Sequence, residues 1–211
     1  LGAGLIATMT ALILGLLVSS SKDTFDTLNR ELIHDGAKTI HLDRILAHYG
    51  PEAVELRAAL ANTLRSALHQ YWRDDVPQGE VLINADTTND LESFQIRLLA
   101  LSPQNDGQRQ LLAQAQQLCS DLLQSRWMMT EMTQRDLPPV FLAIVLVWLG
   151  VLYFCYGLIT PHNGTVRVVF FVSALTVAAA LFLVLEMNNP MTGIIKVSDA
   201  PLQKALSLLG R

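Results

Sequence analysis

The chain has 211 residues, 51% hydrophobic and 16% charged, and a net charge of −4 from 15 basic and 19 acidic side chains. A soluble domain of this length carries nearer a quarter of charged residues, and residues 22–136 hold 11 of the 15 basic and 17 of the 19 acidic ones, so the flanks are almost neutral. The acidic balance gives no reason to expect nucleic acid as a partner, which would need a clustered basic surface, and two cysteines, Cys119 and Cys155, make neither a disulfide framework nor a metal site.

Residues 1–20 read LGAGLIATMTALILGLLVSS, uncharged and about the length a helix needs to cross a hydrocarbon core. At roughly 100° per residue, Gly4, Thr8, Ala11, Gly15, Ser19 and Lys22 share one face, and Leu5, Met9, Leu12 and Leu16 take another. A strip of glycines and hydroxyls has two uses in a membrane: close packing against another helix, or lining a watery path. Either use turns it away from lipid. The chain starts without Met and already inside a span, so a preceding segment is expected before Leu1; a signal peptide is the plain alternative, but its n-region and small-residue cleavage pattern are absent.

No proline interrupts residues 24–49, so the helix is expected to run on out of the membrane. Phe25, Leu28, Leu32, Asp35, Thr39, Leu42 and Leu46 lie on one side, and Gly50-Pro51 stops it. A second helix covers 52–72, with Leu56, Leu60, Thr63, Ala67 and Tyr71 at helical spacing. The stretch 73–89 carries Pro, Gly, Asp and Asn and reads as a loop. A short helix at 90–101 and the turn SPQNDG lead into a long helix at 108–135, whose Leu111, Ala115, Leu118, Leu122 and Met129 form a heptad-like seam. These segments make an antiparallel helical bundle. Trp127, Met128, Met129 and Met132, near the point of re-entry, are expected to pack beneath the hairpin, or else to dock on the bilayer surface. Pro138-Pro139 marks that re-entry; 141–159 and 166–185 form a hairpin of spans around a short Pro161–Gly164 turn.

The predicted fold is therefore all-α: a spanning helix at 1–21, a polar helical bundle at 22–136, a transmembrane hairpin at 137–187 and an amphipathic tail at 188–211. Lys22, Arg30, Lys38, Arg126, Arg135, Lys196 and Lys204 flank the spans on the bundle's side, against Arg167 alone on the other, which predicts a cytoplasmic bundle.

Around a symmetry axis, Thr8 and Ser19 would offer hydroxyls, Ala11 or Leu12 an apolar constriction, and Lys22 a positive ring at the mouth that favours anions. The plain alternative for Lys22 is snorkelling to headgroups. His34, His41 and His48 recur every seven residues, so neighbours stand about 10 Å apart along a helix and cannot share one metal within a chain. Together with Arg30 and Arg44 they describe either a vestibule lining whose charge grows as pH falls or a solvated helix face. Asp35 interrupts the apolar side and is expected to pair with a basic residue of a neighbouring helix or to cap a close contact beside Gly36, or else to bind a cation or substrate group. Asp74, Asp75 and Asp86 match no calcium loop. Phosphate loops, His-Glu-x-x-His pairs and Gly-x-Ser-x-Gly elbows are absent, so no enzyme and no cofactor are expected.

The tail LEMNNPMTGIIKVSDAPLQKALSLLG resembles the closing motif of a bacterial membrane family labelled bestrophin-like. The motif is carried by Glu186, Asn189-Pro190, Gly193, and Val197-Ser198 before Pro201. The run NRELIHDGAKTIHLDRIL resembles that family's second signature. The resemblance implies a multi-pass protein of the bacterial inner membrane with another span, a fourth, before Leu1 and, through the bestrophins, a pentameric anion channel. Met191 stands where bestrophins have Phe, and Asp199 alone follows Gly193 where a calcium clasp needs several carboxylates; calcium gating is not implied. The reading that results is a closed homo-oligomer in the lipid bilayer with its first span at the axis, passing small inorganic ions, anions before cations. The alternative is a membrane-anchored cytoplasmic interaction or sensing module without conduction.

Overall fold

A computed structural model describes residues 2–72, 85–134, 139–161, 163–188, 190 and 194–210. Among them every regular element is helical: α1 Gly2–Tyr49, a single 3-10 turn Pro51–Ala53, α2 Val54–Tyr71, α3 Ala85–Leu99, α4 Asp106–Gln134, α5 Pro139–Ile159, α6 Gly164–Met187 and α7 Ala200–Leu208. The all-α membrane fold read from the sequence is the one observed. Three helices, α1, α5 and α6, are long and apolar enough to cross a membrane. The loop expected at 73–89 lies mostly outside the described residues; α3 begins at Ala85, five residues earlier than its apolar spacing indicated.

The chain divides into two compact units. One joins Leu1–Asp26 to Arg135–Ile195, the other Thr27–Gln134 to Lys196–Arg211. In the first, α5 and α6 are held together by the Tyr153 hydroxyl against Ser173 Oγ at 3.2 Å and by the tilted rings of Tyr153 and Phe170, 6.1 Å apart. Val145, Leu152 and Val184 are buried there, while Val147, Phe154, Leu158, Phe171 and Leu175 are exposed. Apolar side chains facing outward on helices of this length are what lipid contact requires.

The second unit is a helical bundle whose core runs from Leu42, Leu46 and Tyr49 of α1 through Leu56 and Leu60 of α2 and Phe94 and Leu98 of α3 to Ala115, Cys119 and Leu122 of α4. α1 spans 48 residues, about 72 Å at 1.5 Å per residue, more than twice a hydrocarbon core of ~30 Å. Fully extended across a bilayer it is too long to lie within the hydrocarbon along its whole length. Leu28, Leu32, Asp35, Thr39, Leu42 and Leu46 are all buried on one side. The helix stops at Gly50, whose φ of +131° no other residue adopts readily, and a Cβ there would come within 2.7 Å of Glu52 Oε2. The Tyr49 carbonyl freed by that stop accepts from Gln108 Nε2 at 2.9 Å.

Two contacts bind the tail into this unit. Gly36 lets Pro201 approach so closely that an added Cβ would sit 3.1 Å from the Pro201 carbonyl oxygen, and the Trp72 indole donates to the Val197 carbonyl at 2.9 Å. Arg57 of α2 clamps Asp43 of α1 with two bonds, Nε to Oδ1 at 2.8 Å and Nη2 to Oδ2 at 3.0 Å. Asp43 is 1% exposed, so this fork, which holds the guanidinium above its ordinary range, is what permits a buried charge there. Trp127 and Met128 are exposed rather than packed, and only Met129 of that group is buried.

Candidate functional site

In the membrane unit α1 uses one face for its own chain and leaves another bare. Thr10 and Ser21 are buried, and Ala7, Thr10, Ala11 and Leu14 wall a cavity of about 310 Å³ against Leu152 and Tyr153 of α5 and Ser173 of α6. Two hydroxyls in that wall are spoken for: Thr10 donates to the Ile6 carbonyl at 2.8 Å and Ser173 to the Phe170 carbonyl at 2.9 Å. Gly4, Thr8, Leu12, Gly15, Ser19 and Lys22 are exposed and outside that wall, while Ala11, exposed as well, contributes to it. A Cβ added to Gly4 or Gly15 would meet nothing within 4 Å. Thr8 donates to the Leu5 carbonyl at 2.9 Å. Lys22 forms an ion pair with Asp26 one turn on, so its charge is matched locally, a feature its i,i+4 spacing could have disclosed.

In the bundle, His34, His41 and His48 lie on the exposed side of α1, with His48 Nδ1 2.7 Å from the Arg44 carbonyl oxygen. Arg30, also exposed, donates to Thr27 Oγ1 at 3.1 Å. The opposite, buried side carries Asp35. Its carboxylate accepts from Ser125 Oγ of α4 at 2.9 Å and from Lys38 Nζ at 3.4 Å, and Thr39 donates to its backbone carbonyl at 2.7 Å. The neighbouring helix thus supplies a hydroxyl, not the basic residue expected; the cation comes from α1 itself. Ser125 Oγ also stands 3.3 Å from Glu31 Oε2, so one proton is shared between two carboxylates. Burial dominates the balance and lifts the Asp35 carboxyl from 3.8 to about 6, with Ser125 and Lys38 pulling it back. Below it a cavity of about 90 Å³ is walled by leucines of five helices and bordered by Asp35 and Arg126.

Sequence reasoning missed Ser125 and Glu31. Ser125 follows Leu122 by three residues and precedes Met129 by four, so it occupies the place on the α4 seam where an apolar residue was due. That gap in the stripe was the available signal.

A family model for the bestrophin-like domain matches residues 3–202, nearly the whole chain. The chain belongs to the bestrophin-like family. No curated protein and no solved structure matches it. In this bestrophin-like chain, Glu186 closes α6 and its Oε1 accepts the backbone N–H groups of Ile194 and, at 3.1 Å, Ile195. The carboxylate thereby ties Ile194 and Ile195 back to the end of the last span, and Pro190 is buried. Asn189, Met191 and Gly193 of the tail motif lie outside the described residues.

Proposed function

We propose that the bestrophin-like chain is one subunit of a closed homo-oligomer in the bacterial inner membrane, with α1 lining an axial path for small inorganic ions and the bundle in the cytoplasm. The observation that carries this reading is the stripe of Gly4, Thr8, Gly15 and Ser19, which is exposed among the described residues. Small and hydroxyl-bearing residues gain nothing from lipid, whereas copies of α1 around an axis would enclose them. The Thr8 hydroxyl turns from its carbonyl toward a passing ion by one bond rotation. Leu12, 62% exposed, supplies an apolar constriction beside it. Anion preference rests on Arg30 and the histidine face and on family membership; Lys22, matched by Asp26, adds little. A transport role rather than a catalytic one agrees with the family.

Chloride flux into liposomes, measured beside the oligomer's size in detergent, tests this. Thr8→Trp and Leu12→Trp should abolish flux while the assembly survives. A monomeric chain, or undiminished flux in both variants, removes the proposal.

A further inference from the structure

We propose that the cavity beneath Asp35 is a binding site for a small hydrophobic amine, a primary ammonium on an aliphatic or single-ring body. Three features of the bundle carry it. The cavity's volume is about 90 Å³, and at about 10–15 Å³ for each water-sized centre it holds a molecule of roughly seven non-hydrogen atoms. Its walls are mainly side chains of Leu32, Leu60, Leu64, Leu91 and Leu122, which suit a hydrocarbon body and give bound water few partners.

The third feature is the charge at its border. Asp35 is buried, yet its donors are few: one hydroxyl proton that Glu31 also draws on, and the Lys38 ammonium at the long distance of 3.4 Å, outside the cavity lining. A carboxylate offers about four acceptor positions, and an ammonium brings three donors with the charge that burial has left under-compensated. Arg126, the other charged residue of the wall, is already engaged by the protein. An anionic ligand of the same shape would meet the Asp35 charge, and a neutral one would leave it as it is. The site belongs to the bundle and does not depend on conduction along α1.

The full chain in lipid nanodiscs is titrated by calorimetry with cyclohexylamine, cyclohexanol and cyclohexanecarboxylate. Ala67→Phe, which fills the cavity from α2 without touching Asp35, serves as the blank for partitioning into lipid. Above that blank the amine should bind about tenfold or more tightly than the alcohol, as expected of a charge-assisted bond. Asp35→Asn, which keeps shape and the Ser125 partner, should bring the amine down to the alcohol's level and leave the alcohol unchanged. Equal binding of all three, tighter binding of the carboxylate, no heat above the blank, or an amine preference that survives Asp35→Asn each overturns the proposal.

Discussion

α1 is a single helix with two kinds of surroundings, and its halves invert each other. In residues 28–49 one stripe is buried against α2, α3, α4 and α7, and the informative residues are the polar ones inside it, Asp35 and Asp43. In residues 4–22 little is buried, Leu5, Leu12 and Leu16 stand open, and the informative residues are the polar ones outside. Water explains the difference. Around the bundle it drives leucines inward and makes any buried charge expensive, so a buried charge must be held by partners. Hydrocarbon is as apolar as leucine, so exposure there says nothing, and the strip of Gly, Thr and Ser on the open face is what calls for a cause.

The largest effect expected is on the bundle side of this contrast. Arg57→Ala leaves Asp43 as an uncompensated buried charge and should destabilise the bundle by about 3 kcal/mol, read from chemical unfolding of the full chain in detergent. Arg57→Met with Asp43→Leu removes both charges and should restore most of that loss. A single variant as stable as the parent would mean that polar groups inside the bundle are as free of consequence as leucines outside the membrane half.

Asp35 sharpens the contrast because its partners fall short. Its carboxyl sits at about 6 in the folded chain against an ordinary 3.8, chiefly through burial, so the folded state holds the proton more firmly than the unfolded one. Stability is then fullest below the ordinary value and falls as pH rises toward the folded one. Asp35→Asn should therefore stabilise the chain by about 2–3 kcal/mol at neutral pH and by nothing in acid below pH ~4. Unfolding midpoints compared across that range decide it; a destabilised variant at neutral pH would show that Ser125 and Lys38 compensate the charge in full.

How much of this was legible follows the same division. The apolar side of α1, its stop at Gly50-Pro51 and the odd position of Asp35 could be read, because a helical period and a lone charge are local signals. Ser125 left only a gap in the α4 seam, and what fills that gap shows once α4 folds back to meet a residue 90 positions earlier. Arg57 was anonymous until α2 turned it onto Asp43. In the membrane half, Thr8 and Thr10 look alike in sequence, yet only Thr10 is buried. Which hydroxyl faces the chain depends on where the α5–α6 hairpin docks, and apolar composition alone does not encode that.

The smallest effect is at the junction of the halves. Lys22 and Asp26 are 60% and 45% exposed, so Lys22→Gln should change stability by less than about 0.5 kcal/mol. Its consequence is electrostatic. With the pair intact the two charges cancel over a Debye length, ~10 Å at 0.1 M salt. Lys22→Gln frees a negative charge and should shift the reversal potential of reconstituted channels toward cation preference. Asp26→Asn should shift it toward anions, the double variant should return near the parent, and all three differences should shrink in high salt. If Lys22 instead acted alone as a positive ring, Asp26→Asn would leave selectivity unmoved, and the polar strip of the membrane half would extend through Lys22 as an unbalanced charge. If neither single substitution moves it, this turn of α1 does not border the ion path, and the path must lie nearer Thr8 than Ser19.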